Sequence, residues 1–129
     1  MFGNYTTLSS VDIANLANIQ QAAPQMTLPY KINIFTHDGS GDNQTTHTFS
    51  LSENTTCDIL IVGGGGGGGK PYSGGGGGGE VIYFQNKIIP ANNYTIKVGK
   101  GGPGSTSNNR GSNGEQSEAF LAIASGGGG

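Results

Sequence analysis

Gly63-Gly64-Gly65-Gly66-Gly67-Gly68-Gly69-Lys70-Pro71-Tyr72-Ser73-Gly74-Gly75-Gly76-Gly77-Gly78-Gly79 is the stretch on which the reading of this 129-residue chain turns. A third glycine run occupies Gly126 to Gly129. Flexible linkers usually carry serine and polar neighbours. Each of these tracts instead adjoins an apolar β-type run: Cys57-Asp58-Ile59-Leu60-Ile61-Val62, Val81-Ile82-Tyr83-Phe84 or Phe120-Leu121-Ala122-Ile123. That placement favours an ordered, packed element over a disordered linker or a nucleotide-binding loop.

Polyglycine can adopt an extended threefold helix that rises 3.1 Å per residue and has no internal hydrogen bonds. Its amides must therefore bond sideways, and several tracts lying together let each N–H and C=O find a neighbour. The missing Cβ allows the axes to approach closely, as at the collagen axis. A seven-residue tract then spans roughly 20 Å. The opposing term is large, because glycine loses more conformational freedom on folding than any other residue.

Outside the tracts the pattern is that of strands. Lys31 to Thr36 and Thr45 to Leu51 alternate with period two around Asp38 to Asn43, which predicts a hairpin. Strands are also predicted over 57–62, 81–84, 94–98 and 119–124, with a turn around Pro90 between Asn86 and Asn93. Gly99 to Gly114 reads as a polar, glycine-rich loop. The recurrence of strand, tract, spacer, tract and strand suggests strands at one end registered against glycine helices at the other.

Residues 1–29 form an arm of different composition. Ser9 or Ser10 can cap a helix, Asp12 is a capping-box partner, and Ile13, Leu16, Ile19 and Ala23 give an apolar stripe until Pro24. A helix this short is marginal alone in water. Its apolar groups Phe2, Tyr5, Leu8, Val11, Ile13, Leu16 and Ile19 are too many for a solvated tail, so the arm packs either on a partner or on its own hairpin.

Composition removes several functions. With 26 glycines, 33 % hydrophobic residues and room for one domain plus an arm, a conventional large core is out of reach. A net charge of −2 with 11 % charged residues leaves no basic footprint for nucleic acid. No apolar run approaches the ~18 residues of a membrane span. Met1 to Asn4 lacks the basic and apolar regions of a signal peptide, so export by the standard secretory route is not expected. Cys57 is the single cysteine and forms no intrachain disulfide; it reads as a small hydrophobe at a strand start.

The motifs that suggest chemistry fail on inspection. Asp58 to Gly68 fits the dinucleotide pattern of an apolar strand entering GxGxxG, but the helix needed to hold a pyrophosphate is replaced by Lys70-Pro71-Tyr72-Ser73 and more glycine. In the phosphate-loop spacing Gly64 to Lys70, Pro71 stands where Ser or Thr must reach magnesium. Asp38, Ser40 and Asp42 alternate as in a calcium loop, yet Asn43 and Phe49 occupy the positions of the required Gly and Glu. His37 and His47 flank the same turn without a third ligand. No nucleophile, base and orienting acid assemble, so the chain reads as a non-enzyme without cofactor or metal.

Thr48 to Leu51 through Cys57 to Gly63, then Gly79 to Phe84, Asn93 to Gly99 and Phe120 to Gly126, resemble in order and type the glycine-rich domain of bacteriophage tail adhesins and surface proteins of large DNA viruses. The resemblance covers residues 30–129. It implies an all-β domain, a small sheet or sandwich continued by packed polyglycine helices, with a short helical arm at 1–29. It also implies a structural protein at the surface of a virion, a fibre or minor capsid component. The arm would then bind a capsid or baseplate protein, and the protein would form homo-oligomers. In adhesins the loops at the distal tip bind a host receptor; the matching loops here, Lys70 to Ser73 and Lys100 to Gly114, carry Lys70, Tyr72 and Arg110. A tail receptor-binding adhesin is thus the alternative reading, and a nucleotide-binding enzyme the remote one.

Overall fold

The computed structural model describes residues 30–129. The expected helix in the arm and its apolar anchor residues lie outside the described residues. The chain divides into Met1–Asn33 and Ile34–Gly129. In the first unit, residues 30–33 form neither helix nor strand. The second unit is all-β among its described residues, with β1 Gln44–Leu51, β2 Thr55–Val62, β3 Val81–Ile89, β4 Asn92–Gly99, β5 Ser117–Ala119 and β6 Ala122–Ala124. Four strands form an antiparallel sheet in the order β1-β4-β5-β6, and β2 and β3 form a separate antiparallel ribbon.

Alternating burial explains how the two sheets meet. In β2, Cys57, Ile59 and Ile61 turn inward while Asp58, Leu60 and Val62 turn out. They join Ile82, Phe84 and Ile89 of β3, Ile96 of β4, and Ala119 and Ala124 of the short strands in one apolar core. Burying each isoleucine is worth about 1.5–3 kcal/mol. Phe49, Tyr94 and Phe120 close one end with edge-on ring contacts, Tyr94 and Phe120 lying 4.9 Å apart.

A β-bulge keeps β3 in phase. Cys57 lies opposite Lys87 but Ile59 opposite Phe84, so β3 carries one extra residue opposite Asp58. Asn86 takes the left-handed conformation there, at φ 52°, which asparagine tolerates better than most residues. The Asp58 carboxylate accepts its N–H at 2.8 Å and the Tyr83 hydroxyl at 3.1 Å. Beyond the bulge the inward positions shift from Ile82 and Phe84 to Ile89.

Three sequence expectations are corrected. Residues 31–36 form no strand, and β1 pairs with β4 instead, Phe49 opposite Tyr94. Phe35 meets the inward ring of His47 at a tilt and that of Phe49 edge-on, and the Thr36 carbonyl lies 2.9 Å from His47 Nε2, so the segment is held by side chains rather than a ladder. β3 runs through Ile89, leaving only Pro90 and Ala91 as the turn. The single final strand is two strands joined by Phe120 and Leu121 at φ 50° and 68°. Both residues lie in the left-handed region that such hairpin turns demand and that Asn-Gly usually fills.

The glycine tracts are neither α-helix nor β-strand, yet their backbone bonds are regular. Gly63, Gly66 and Gly69 donate to the carbonyls of Glu80, Gly77 and Gly74 at 2.9, 2.8 and 3.3 Å. This continues the register of the ribbon, where Val62 faces Val81, with bonds at every third residue instead of every second. Gly64, Gly67 and Lys70 donate to Glu115, Ser112 and Asn109, again in steps of three. The carbonyls of Gly65 and Gly68 accept from Gly102 and Ser105. Gly127 donates to Gly64, and Gly77 to Gly128, which brings the last run into the same network.

Candidate functional site

The tips of the glycine half gather the residues that the sequence singled out. The turn between the first two tracts is joined to the polar loop by the Lys70 N–H, which donates to the Asn109 carbonyl at 3.2 Å, so Lys70 and Arg110 belong to adjoining segments. Tyr72 is fully exposed, at 106 % relative accessibility, and holds a left-handed φ of 61°. A tyrosine in that conformation carries backbone strain. The Arg110 Nη2 donates to Asn113 Oδ1 at 3.3 Å, and the same oxygen accepts the Gly129 N–H at 3.1 Å. The loop between them is organised locally: the Ser105 hydroxyl donates to the Ser107 carbonyl at 2.7 Å and Asn109 N–H to the same carbonyl at 2.7 Å.

Most amides of the first tract are engaged. A phosphate in the manner of a glycine loop would need free N–H groups, but those of Gly63, Gly64, Gly66, Gly67 and Gly69 all donate to carbonyls of neighbouring segments. The reason for glycine is approach rather than backbone angle. No tract glycine has φ in the left-handed region, but a Cβ on Gly66 would overlap the Gly128 carbonyl and one on Gly67 the Pro103 carbonyl.

Around Asp38 the geometry is that of a closed turn. Its carboxylate accepts the Ser40 N–H at 2.8 Å and the Thr45 hydroxyl at 2.9 Å, bonds that lower its pKa from 3.8 to about 2. His37 Nε2 lies 3.0 Å from the Asp42 carbonyl, while His47 engages Thr36. Among the described residues no group of three or more His, Cys, Asp or Glu converges. Cys57 is half-buried, and burial, then the neighbouring Asp58 charge, pushes its thiol upward.

Two features at the strand half escaped the sequence reading. The first is the turn Phe120-Leu121, with Leu121 fully exposed beside open grooves lined by Ile88, Pro90 and Tyr94. A continuous apolar run without Gly, Asn or Pro gives no sign of a turn. The second is the outward face of the β2–β3 ribbon, where Leu60, Val62, Val81, Tyr83 and Ile88 are exposed. Its signal was present in the runs Ile59 to Val62 and Val81 to Phe84, since unbroken apolar strands are those that bury both faces.

Two sheets on a small core, continued by interlocked glycine-rich segments with exposed polar tips, define an all-β glycine-rich domain. The model of the family described as glycine-rich domain matches residues 41–129, more than half of the chain, and the protein belongs to that family. No curated protein and no solved structure matches the chain. Among the described residues, no helix is long and apolar enough to cross a membrane.

Proposed function

We propose that the protein is a structural component of a virion, a fibre or minor capsid protein that displays its glycine-rich domain at the particle surface as a homo-oligomer. In this reading its glycine segments are threefold polyglycine helices, and residues 1–29 are the anchor to a capsid or baseplate partner. The observation that carries it is the step-of-three hydrogen bonding between tracts, which uses the backbone to build a scaffold rather than a chamber. Three residues per repeat is the periodicity of the polyglycine helix. In this reading the domain binds no nucleotide, in keeping with the donation of most first-tract amides to neighbouring segments.

Gold-labelled antibody on particles from the source that encodes the protein tests this reading. Label on the particle surface is the expected result, and its absence from particles overturns it. Leu16→Asp with Ile19→Asp addresses the anchor: incorporation falls while the melting temperature of the isolated protein stays put, whereas a lowered melting temperature assigns the arm to its own domain.

The exposed Tyr72, with Lys70 and Arg110 on adjoining segments, favours a second reading, a receptor-binding adhesin of a phage tail. Lys70→Ala, Tyr72→Ala and Arg110→Ala together then abolish attachment to host cells and leave particle assembly intact. Unchanged attachment rejects the adhesin and keeps the fibre.

A further inference from the structure

We propose that the outward face of the β2–β3 ribbon is the contact between two copies of this chain. The face is apolar throughout its glycine-proximal part: Val62 pairs with Val81 and Leu60 with Tyr83 across the ribbon, and these four side chains are 48–64 % exposed. Ile88 extends the face beyond the bulge and is 66 % exposed.

The other sheet shows that this is no general property of the surface. Its outward positions Thr46, Thr48 and Ser50 on β1 and Asn93 and Thr95 on β4 are all polar and all exposed, with Ile123 on β6 as the exposed apolar exception. A strand with one wet face alternates apolar and polar residues, whereas a strand covered on both faces does not. β1 and β4 follow the first pattern. β2 and β3 follow the second, but only their inner face is covered.

Area selects the occupant. A large apolar or aromatic side chain contributes about 150–250 Å² when fully covered, so five that are roughly half exposed offer about 500 Å². Two such faces together remove on the order of 1,000 Å², the size at which specific interfaces begin. The bordering carboxylates are already engaged by their own chain, Asp58 by Tyr83 and Asn86, and Glu80 by the Ser125 N–H at 2.8 Å. Both carboxylates are hydrogen-bonded only to neutral donors, and the block of Leu60, Val62, Val81 and Tyr83 carries no charge of its own. A second copy brings the same apolar block, and stacks as one sheet on another in a two-fold arrangement. This gives the homo-oligomer of the proposed function its surface, and it holds wherever the protein resides.

Analytical ultracentrifugation of the full chain tests the contact. The unmodified protein forms a dimer at micromolar concentrations. Leu60→Lys with Tyr83→Lys weakens it by about thirtyfold or more, the loss expected on removing central interface residues, with an unchanged circular dichroism spectrum. Thr48→Lys with Thr95→Lys on the polar sheet leaves it a dimer. Should the first double variant fail to fold, Val81→Lys alone gives the same comparison. A wild-type protein that stays monomeric up to near-millimolar concentration overturns the proposal. A dimer indifferent to lysine at positions 60, 81 and 83 overturns it equally.

Discussion

The strand half and the glycine half of this domain use opposite parts of the polypeptide. In the strands, side chains alternate between faces, and the inward set of Ile59, Ile61, Ile89 and Ile96 supplies the adhesion. In the tracts no side chain exists to bury, and the backbone bonds to neighbours on several sides at once. The strand half is therefore sensitive to what is removed, and the glycine half to what is added.

The largest expected effect removes a side chain. Ile61, 5 % exposed, loses about 2–5 kcal/mol of stability on replacement by alanine, from lost transfer energy and the cavity left behind. Leu60→Ala one residue away, on the outward face, shifts the stability of the monomer by less than about 0.5 kcal/mol. Equal losses in urea unfolding would erase the distinction between the two faces.

Adding atoms to the glycine half comes next. Gly66→Val places a branched side chain against the carbonyls of Gly127 and Gly128, and overpacking of this kind destabilises by about 1–3 kcal/mol or more. An unchanged melting temperature would reduce the tract to a solvated linker. The strand half offers the converse at Leu121, where glycine relieves a left-handed φ of 68° and stabilises by about 1 kcal/mol.

A sharper test lies within one tract. Nothing lies within 4 Å of a Cβ on Gly75, and its φ is outside the left-handed region. Gly75→Ala therefore stabilises the fold by about 0.4–1 kcal/mol, chiefly by restricting the unfolded chain. Differential scanning calorimetry of this variant beside Gly66→Val separates glycines needed for approach from those that are not.

The smallest effect is electrostatic. Bonds from Ser40 and Thr45 hold the Asp38 carboxylate at about 2 rather than 3.8, so its ionised form favours the folded state. The contribution is present above the unfolded value and is lost as pH falls from about 4 to about 2. Asp38→Asn flattens the melting temperature over that window, and an identical acid profile in the variant would remove Asp38 from the account.

How much of this was legible depended on which half wrote it. β2 and β4 are plain in the sequence because runs rich in β-branched and other strand-forming residues, from Cys57 to Val62 and from Tyr94 to Val98, have few alternatives to a strand. The pairing of β1 was not, because register and partner depend on the aromatic contacts of Phe35, Phe49 and Tyr94, which no local pattern encodes. The turn at Phe120-Leu121 was hidden for a related reason: tertiary packing of the Phe120 ring against Tyr94 and Phe49 holds a backbone that its own residues disfavour. At the tips, Lys70, Tyr72 and Arg110 were chosen by position between tracts, and only the Lys70–Asn109 bond revealed that their segments adjoin.

The change of step at Gly63, from bonds at every second residue to bonds at every third, sets a rule for growth. Inserting one glycine turns every following residue toward the wrong neighbour, whereas inserting three restores the pattern. If the tracts are threefold polyglycine helices, as proposed, matched triplets across the adjoining segments lengthen the reach from strands to tips by about 9 Å per step at 3.1 Å per residue. Length in such a domain is a quantised variable, adjustable in the coding sequence by nine nucleotides at a time without redesign of either end.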